Sequence, residues 1–123
     1  MGLHNQQGQL GEALAIDYLR KQGYEILETN WKLQHLEADI IARKDGFVVL
    51  VEVKTRKSEH FGNPEAFIDR KKMQACVTLL NAYIRLHGLT EEGRIDVIAI
   101  VHNSTGYNLQ HYPNAFSAHS IRR

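Results

Sequence analysis

The segment from Leu36 to Lys57, LEADIIARKDGFVVLVEVKTRK, constrains the fold more than any other part of the chain. Asp-Gly flanked by apolar runs is a strong signal for a two-residue hairpin, because both central positions of a type I′ turn need positive φ. Placing Asp45 and Gly46 in the turn pairs Lys44 with Phe47. Counting outward, Ile41 faces Leu50, Asp39 faces Glu52 and Glu37 faces Lys54. The period of two sets all six on one side of the sheet. The other side receives Leu36, Ala38, Ile40, Ala42, Val49, Val51 and Val53. That wholly apolar side requires a helix against it, and a slip of one residue would drive charge into the core. The acidic side is expected to stay open.

The remainder supplies the helices and a further strand. Good helix formers run from about Gln6 to Gln22 and stop at Gly23. Tyr24 to Leu33 is rich in strand formers. After the hairpin comes a polar loop, SEHFGN, whose Asn63-Pro64 pair suits a helix cap and first helical position. A helix is then expected to run through Asp69 to about His87, with Met73, Cys76, Val77, Leu80 and Ile84 at helical spacing and Gly88 closing it. Arg94 to Val101, RIDVIAIV, reads as a largely buried strand. The order helix, three strands, helix, strand predicts an α/β fold, a mixed sheet flanked by helices. At 123 residues with 43% hydrophobic content, residues 1–123 fit one domain.

Several function classes lack support. A single cysteine, Cys76, leaves no intrachain disulfide and no four-cysteine zinc site, and the seven histidines show no HxxxH or CxxC company. No GxSxG elbow and no Gly-rich phosphate loop occurs. The polar start MGLHNQQGQL and the absence of a membrane-length apolar run predict a cytoplasmic protein with no membrane partner. Net charge is only +1, so any nucleic-acid surface must be local. Asp96 lies in an apolar run and is expected to pair with Arg94 or a helix end; Tyr24 and Trp31 read as core aromatics and Cys76 as helix packing.

The hairpin carries the chemistry. Opposed carboxylates sit roughly 5 Å apart at Cβ, and at an effective dielectric of about 20 they repel by on the order of a few kcal/mol. Protonation of one, neutralisation by Lys54, or a divalent cation between them would each relieve this. Mg²⁺ takes oxygen ligands, binds through one or two carboxylates and keeps several waters. The plainer reading is a solvated charge cluster with Glu37–Lys54 and Glu52–Lys54 ion pairs of little worth. Lys54 favours the metal, because it stands where an ammonium orients a metal-bound water and stabilises a phosphate under attack.

Asp39 followed by Glu52-Val53-Lys54 on the next strand resembles the PD-(D/E)xK motif of restriction-endonuclease-like nucleases. More closely, QGQLGEALAIDYLRKQGYEILETNW, LEADIIA, VEVKTRKSEHFGNPEAF, RIDVIAI and HYPNAF resemble the YraN-like family of small bacterial proteins, related to archaeal Holliday junction resolvases. The resemblance covers nearly the whole chain and implies a restriction-endonuclease-like core. It implies that Asp39 and Glu52 hold Mg²⁺ or Mn²⁺, with the Val53 carbonyl and Glu12 as further ligands, and that Lys54 is the catalytic lysine. Glu37 matches an acidic position of the family motif, where it would orient Lys54. The proline of PD-(D/E)xK is absent: Glu37 and Ala38 precede Asp39, and Leu36 stands where the family usually has glycine.

The expectation is a metal-dependent endonuclease that cleaves DNA phosphodiester bonds, with branched or repair intermediates as candidate substrates and a symmetric homodimer as the assembly that would suit them. Thr55, Arg56 and Lys57, continuing from the Lys54 strand, and Arg70, Lys71 and Lys72, opening the second long helix, are expected phosphate contacts. A non-catalytic nucleic-acid-binding module is the alternative. A weaker third reading is an adaptor that uses Phe61 to Phe67 against a protein partner.

Overall fold

The computed structural model describes residues 3–57 and 68–116. Helix α1 (Leu3–Lys21) is followed by strands β1 (Glu25–Leu33), β2 (Leu36–Lys44) and β3 (Phe47–Arg56), helix α2 (Arg70–Leu86), and strands β4 (Glu92–Asn103) and β5 (Gly106–Tyr112). They form one five-stranded sheet in the order β1-β2-β3-β4-β5. Only β3 and β4 run parallel, because α2 carries the chain back between them. The other pairs are antiparallel.

The hairpin turn forms as its chemistry dictates, with Asp45 at φ 50 and Gly46 at φ 84. The register holds from Lys44↔Phe47 through Ile41↔Leu50 to Ile40↔Val51. The ladder stops there, one pair short of Asp39 and Glu52. Side-chain alternation breaks at the same place: Ile40 and Ala42 pack beneath α1, whereas Leu36 and Ala38 join the cluster beneath α2. The expectation that six hairpin residues share one side in strict alternation therefore fails beyond Ile40. On the neighbouring strand β1, a register shift between Ile26 and Glu28 and the positive φ of Asn30 mark the same irregular stretch.

Each face of the sheet has its own core. Beneath α1 lie Ile40, Ala42, Val49, Val51, Ile98 and Ile100 with Ala15 and Leu19. Beneath α2 lie Ile41, Val48, Leu50, Ile95 and Val97 with Cys76, Leu79 and Tyr83. The acidic side is thus not the open one expected. The central strand β3 is buried on both faces, as its unbroken run FVVLV befits a strand with a parallel neighbour.

Helix boundaries differ modestly from the sequence reading. Both helices end at a glycine, and the N–H groups of Tyr24 and Leu89 close back on Leu19 and Ile84. The cap of α2 is Asp69, whose carboxylate accepts from the Lys72 N–H at 2.8 Å. Asn63 and Pro64, read as that cap, lie outside the described residues, as does the Phe61 to Phe67 segment. Strand β5 was not anticipated: GYNLQHY has no β-branched residue and owes its conformation to pairing with β4. No described helix is long and apolar enough to cross a membrane.

Candidate functional site

The site forms where β2 and β3 part. Past Ile40 the Asp39 side chain replaces the lost ladder contact, and its Oδ2 accepts from the Val53 N–H at 2.8 Å. An extended strand turns the N–H and C=O of one residue the same way, so the Val53 carbonyl also faces this gap. Glu52, one residue earlier, is only 2% exposed. Its Oε2 receives the Lys72 ammonium at 2.9 Å. Its Oε1 is buried and has no hydrogen-bond partner among the described residues.

Burial, then the Asp39 charge, pushes the Glu52 carboxyl up to about 7, while Lys72 and Lys54 pull it down. Asp39 is also raised, chiefly by burial, against the Val53 N–H, Lys72, its side-chain contact with the Glu52 carboxyl, and Lys54. Burial disfavours the charge on Lys72, but Glu52 outweighs it and holds the ammonium above its usual range. Cys76, one helical turn beyond Lys72, is pushed up to about 12 by burial and by Glu52. The pair is therefore in mutual electrostatic contact, and its charge is only partly neutralised.

The other expected residues are distributed as follows. Lys54 acts on both carboxylates through space, and no ion pair joins it to either among the described residues. Lys72, expected as a phosphate contact, instead supplies the direct ion pair. Glu37 makes no ion pair with Lys54 among the described residues, since the ladder ends before that position; its charge is felt by Glu12. Glu12 accepts from Asn30 Nδ2 at 3.1 Å, and its pKa is raised by burial and by Asp39 and Glu37. It thus borders the site. Among the described residues, no three His, Cys, Asp or Glu side chains converge as a ready-made metal cluster.

An open cleft of about 610 Å³ leads from Asp39 and Glu37 to the start of α2, where Asp69, Lys71 and Lys72 line it; the buried Glu52 lies behind Lys72 and is not part of its lining. Arg70, Lys71, Arg56 and Lys57 are exposed. Thr55 belongs to the opposite face: a Cβ on Gly11 of α1 would lie 2.4 Å from its Oγ1, so helix and strand meet there with no room to spare. Thr55 lines a separate apolar cavity of about 290 Å³ with Leu10, Leu14, Ile100 and Tyr107.

Residues 11–100 match the sequence profile of the Uncharacterised protein family UPF0102, a span that takes in Glu12, Asp39, Glu52, Lys54 and Lys72. The chain belongs to the UPF0102 family. This is the YraN-like family whose sequence blocks it resembles. A UPF0102 protein of Flavobacterium psychrophilum is 43% identical over 116 residues, covering 94% of this chain and 98% of that one. A UPF0102 protein of Parabacteroides distasonis is 38% identical over 118 residues, covering 96% and 98%. One of Bacteroides thetaiotaomicron is 36% identical over 116 residues, covering 94% and 96%. The UPF0102 chain thus matches these relatives along nearly their whole length.

Sequence reasoning missed the second lysine of the site. Lys72 stood out only as part of the basic run Arg70-Lys71-Lys72. Its one local signal is position: Asp69 caps the helix, so Lys72 falls in the first turn, at the helix end nearest β3.

Proposed function

We propose that this UPF0102 chain is a divalent-metal-dependent phosphodiesterase acting on DNA. The observation that carries this reading is Glu52: a buried carboxylate with one oxygen unpartnered, set beside Asp39 where the sheet opens. A fold seldom leaves a buried acceptor unmatched without a use for it. The donor set is all oxygen, which suits Mg²⁺ or Mn²⁺ retaining several waters. Asp39, Glu52 and the Val53 carbonyl would hold the ion, with Glu12 at the border. When bound, such an ion lowers the pKa of a water and neutralises charge on a phosphoryl oxygen.

The chain's own groups supply the rest. Lys54, on the strand that carries Glu52, brings an ammonium to the side where an attacking water and a charged phosphate would meet. Lys71 and the first turn of α2 line the cleft and favour anions there. Arg56 and Lys57 extend this positive surface along β3 and just past its end. The resemblance to PD-(D/E)xK nucleases names the substrate class, and the geometry of the carboxylate pair is consistent with it.

The test is incubation of the purified protein with single-stranded, duplex, flapped and four-way DNA in Mn²⁺. Cleavage of at least one substrate is expected, reduced by several orders of magnitude by Asp39→Asn or Lys54→Ala. Failure to cut any of them under varied metal would overturn the enzymatic reading. One observation favours a second reading, a nucleic-acid-binding module without turnover: Lys72 already neutralises Glu52. That reading predicts salt-sensitive DNA binding that Asp39→Asn leaves unchanged.

A further inference from the structure

The Glu52–Lys72 pair joins partners of unequal freedom. Glu52 comes from the central strand and its side chain is 3% exposed, whereas the Lys72 side chain is 34% exposed and borders the cleft. The Lys72 backbone is fixed, because its N–H donates to the cap residue Asp69. Among the described residues its charged end is held at Glu52 Oε2 alone. The ammonium can therefore leave by rotation about its own side-chain bonds, while Glu52 has nowhere to go.

We infer that Lys72 is a resident counter-ion, which neutralises the carboxylate pair when no divalent cation is present and yields it when one binds. The inference rests on the metal reading above. Without Lys72, Asp39 and Glu52 would face each other with Lys54, acting from a distance, as the one cation on them among the described residues, and with the Val53 N–H bonded to Asp39 alone. A divalent ion brings two positive charges to the same pair, and an ammonium on the same carboxylate then opposes it. Lys72 thus weakens cation binding, keeps the metal-free fold intact, and on release stands in the cleft beside Lys71, free for an anionic ligand. It is a positioning residue.

The test needs no turnover. Mn²⁺ affinity is measured at pH 8 by electron paramagnetic resonance of the free ion for wild type, Lys72→Met and Lys72→Arg. Lys72→Met is expected to bind about tenfold more tightly, the scale of one partly screened charge, and Lys72→Arg to stay near wild type. In EDTA, Lys72→Met should melt below wild type and gain more on addition of Mn²⁺. Unchanged or weaker binding by Lys72→Met, with wild type binding normally, would overturn the inference and leave the metal reading standing. Absence of Mn²⁺ binding in both would overturn the metal reading itself. Should Lys72→Met not fold, nitrogen-15 NMR of the wild-type Lys72 ammonium decides: its resonance is expected to move on Mg²⁺ addition, and one that stays put contradicts the inference.

Discussion

Two buried carboxylates lie one register step apart on adjacent strands and on opposite faces of the same sheet. Glu52 is paired with Val97 and Asp96 with Val51. Asp96, 0% exposed, is saturated. Arg94 donates to both its oxygens at 2.9 and 3.1 Å, Tyr24 Oη donates to Oδ2, and the Asn114 N–H donates to Oδ1. His111 Nε2 lies 2.8 Å from Oδ2, and Tyr18 Oη lies 3.1 Å from the other nitrogen of that ring. Burial pushes the Asp96 carboxyl up, but His111, Arg94 and Asn114 more than offset it and hold it below the usual carboxylate range. Burial and the same carboxylate push the Tyr24 hydroxyl up to about 12. Glu52, equally enclosed, keeps one ion-pair partner and, among the described residues, one buried oxygen with no geometric hydrogen bond, and moves the opposite way. The difference separates a clamp that ties α1, the junction before β1 and β5 to β4 from a site with bonding capacity left over.

Breaking each carboxylate should therefore have opposite consequences for the fold. Asp96→Ala leaves Arg94, Tyr24 and the Asn114 N–H without their acceptor, and is expected to cost roughly 3–5 kcal/mol in urea unfolding. An Asp96→Ala loss under 1 kcal/mol would show that the network contributes little. Glu52→Gln, measured in EDTA at pH 8, should be neutral or stabilising by up to roughly 3 kcal/mol, because it removes a buried carboxyl whose pKa burial and Asp39 push up to about 7, against an unfolded value near 4.5.

Opposite pH responses sharpen the contrast. Since Glu52 is raised in the folded state, the native protein holds more protons than the unfolded chain between about 4.5 and 7, so stability falls as pH rises through that window. Asp96 is lowered, so its contribution is present above its unfolded value of 3.8 and is lost as pH falls through its lower folded value. Thermal melts across pH should show both limbs. Glu52→Gln should flatten most of the limb above about pH 4.5, to which the raised Asp39 and Glu12 also contribute, and Asp96→Asn the acid limb; a limb unchanged by Glu52→Gln would contradict the assignment. The smallest effect belongs to Tyr18→Phe, which removes the hydroxyl bonded to His111. It should cost about 1 kcal/mol and leave Mn²⁺ affinity untouched.

The hairpin was readable because each local choice agrees with the next. Asp45-Gly46 fixes the turn, the apolar run fixes the register to Ile40↔Val51, and extrapolating one step brings Asp39 beside Glu52. The same extrapolation failed for Glu37 and Lys54, since the strands part before reaching them. The cover of α2 over the acidic side was signalled only weakly, by a five-residue apolar run too uniform for a strand with one wet face. Strand β5 had no signal of its own. The partnership of Lys72 with Glu52 depends on how α2 docks across β3, and no spacing within either segment encodes that docking. Asp96 was expected to pair with Arg94, and it does; the approach of His111 and Tyr18 is a product of the packing of β5 and α1 around it.

The central claim is that Asp39 and Glu52 jointly bind a divalent cation. Crystals soaked in Mn²⁺ and measured at the manganese absorption edge test it most directly. The wild type should show an anomalous peak between the two carboxylates that is missing from Asp39→Asn. A wild-type map with no peak there, or a peak that persists in Asp39→Asn, would contradict the account.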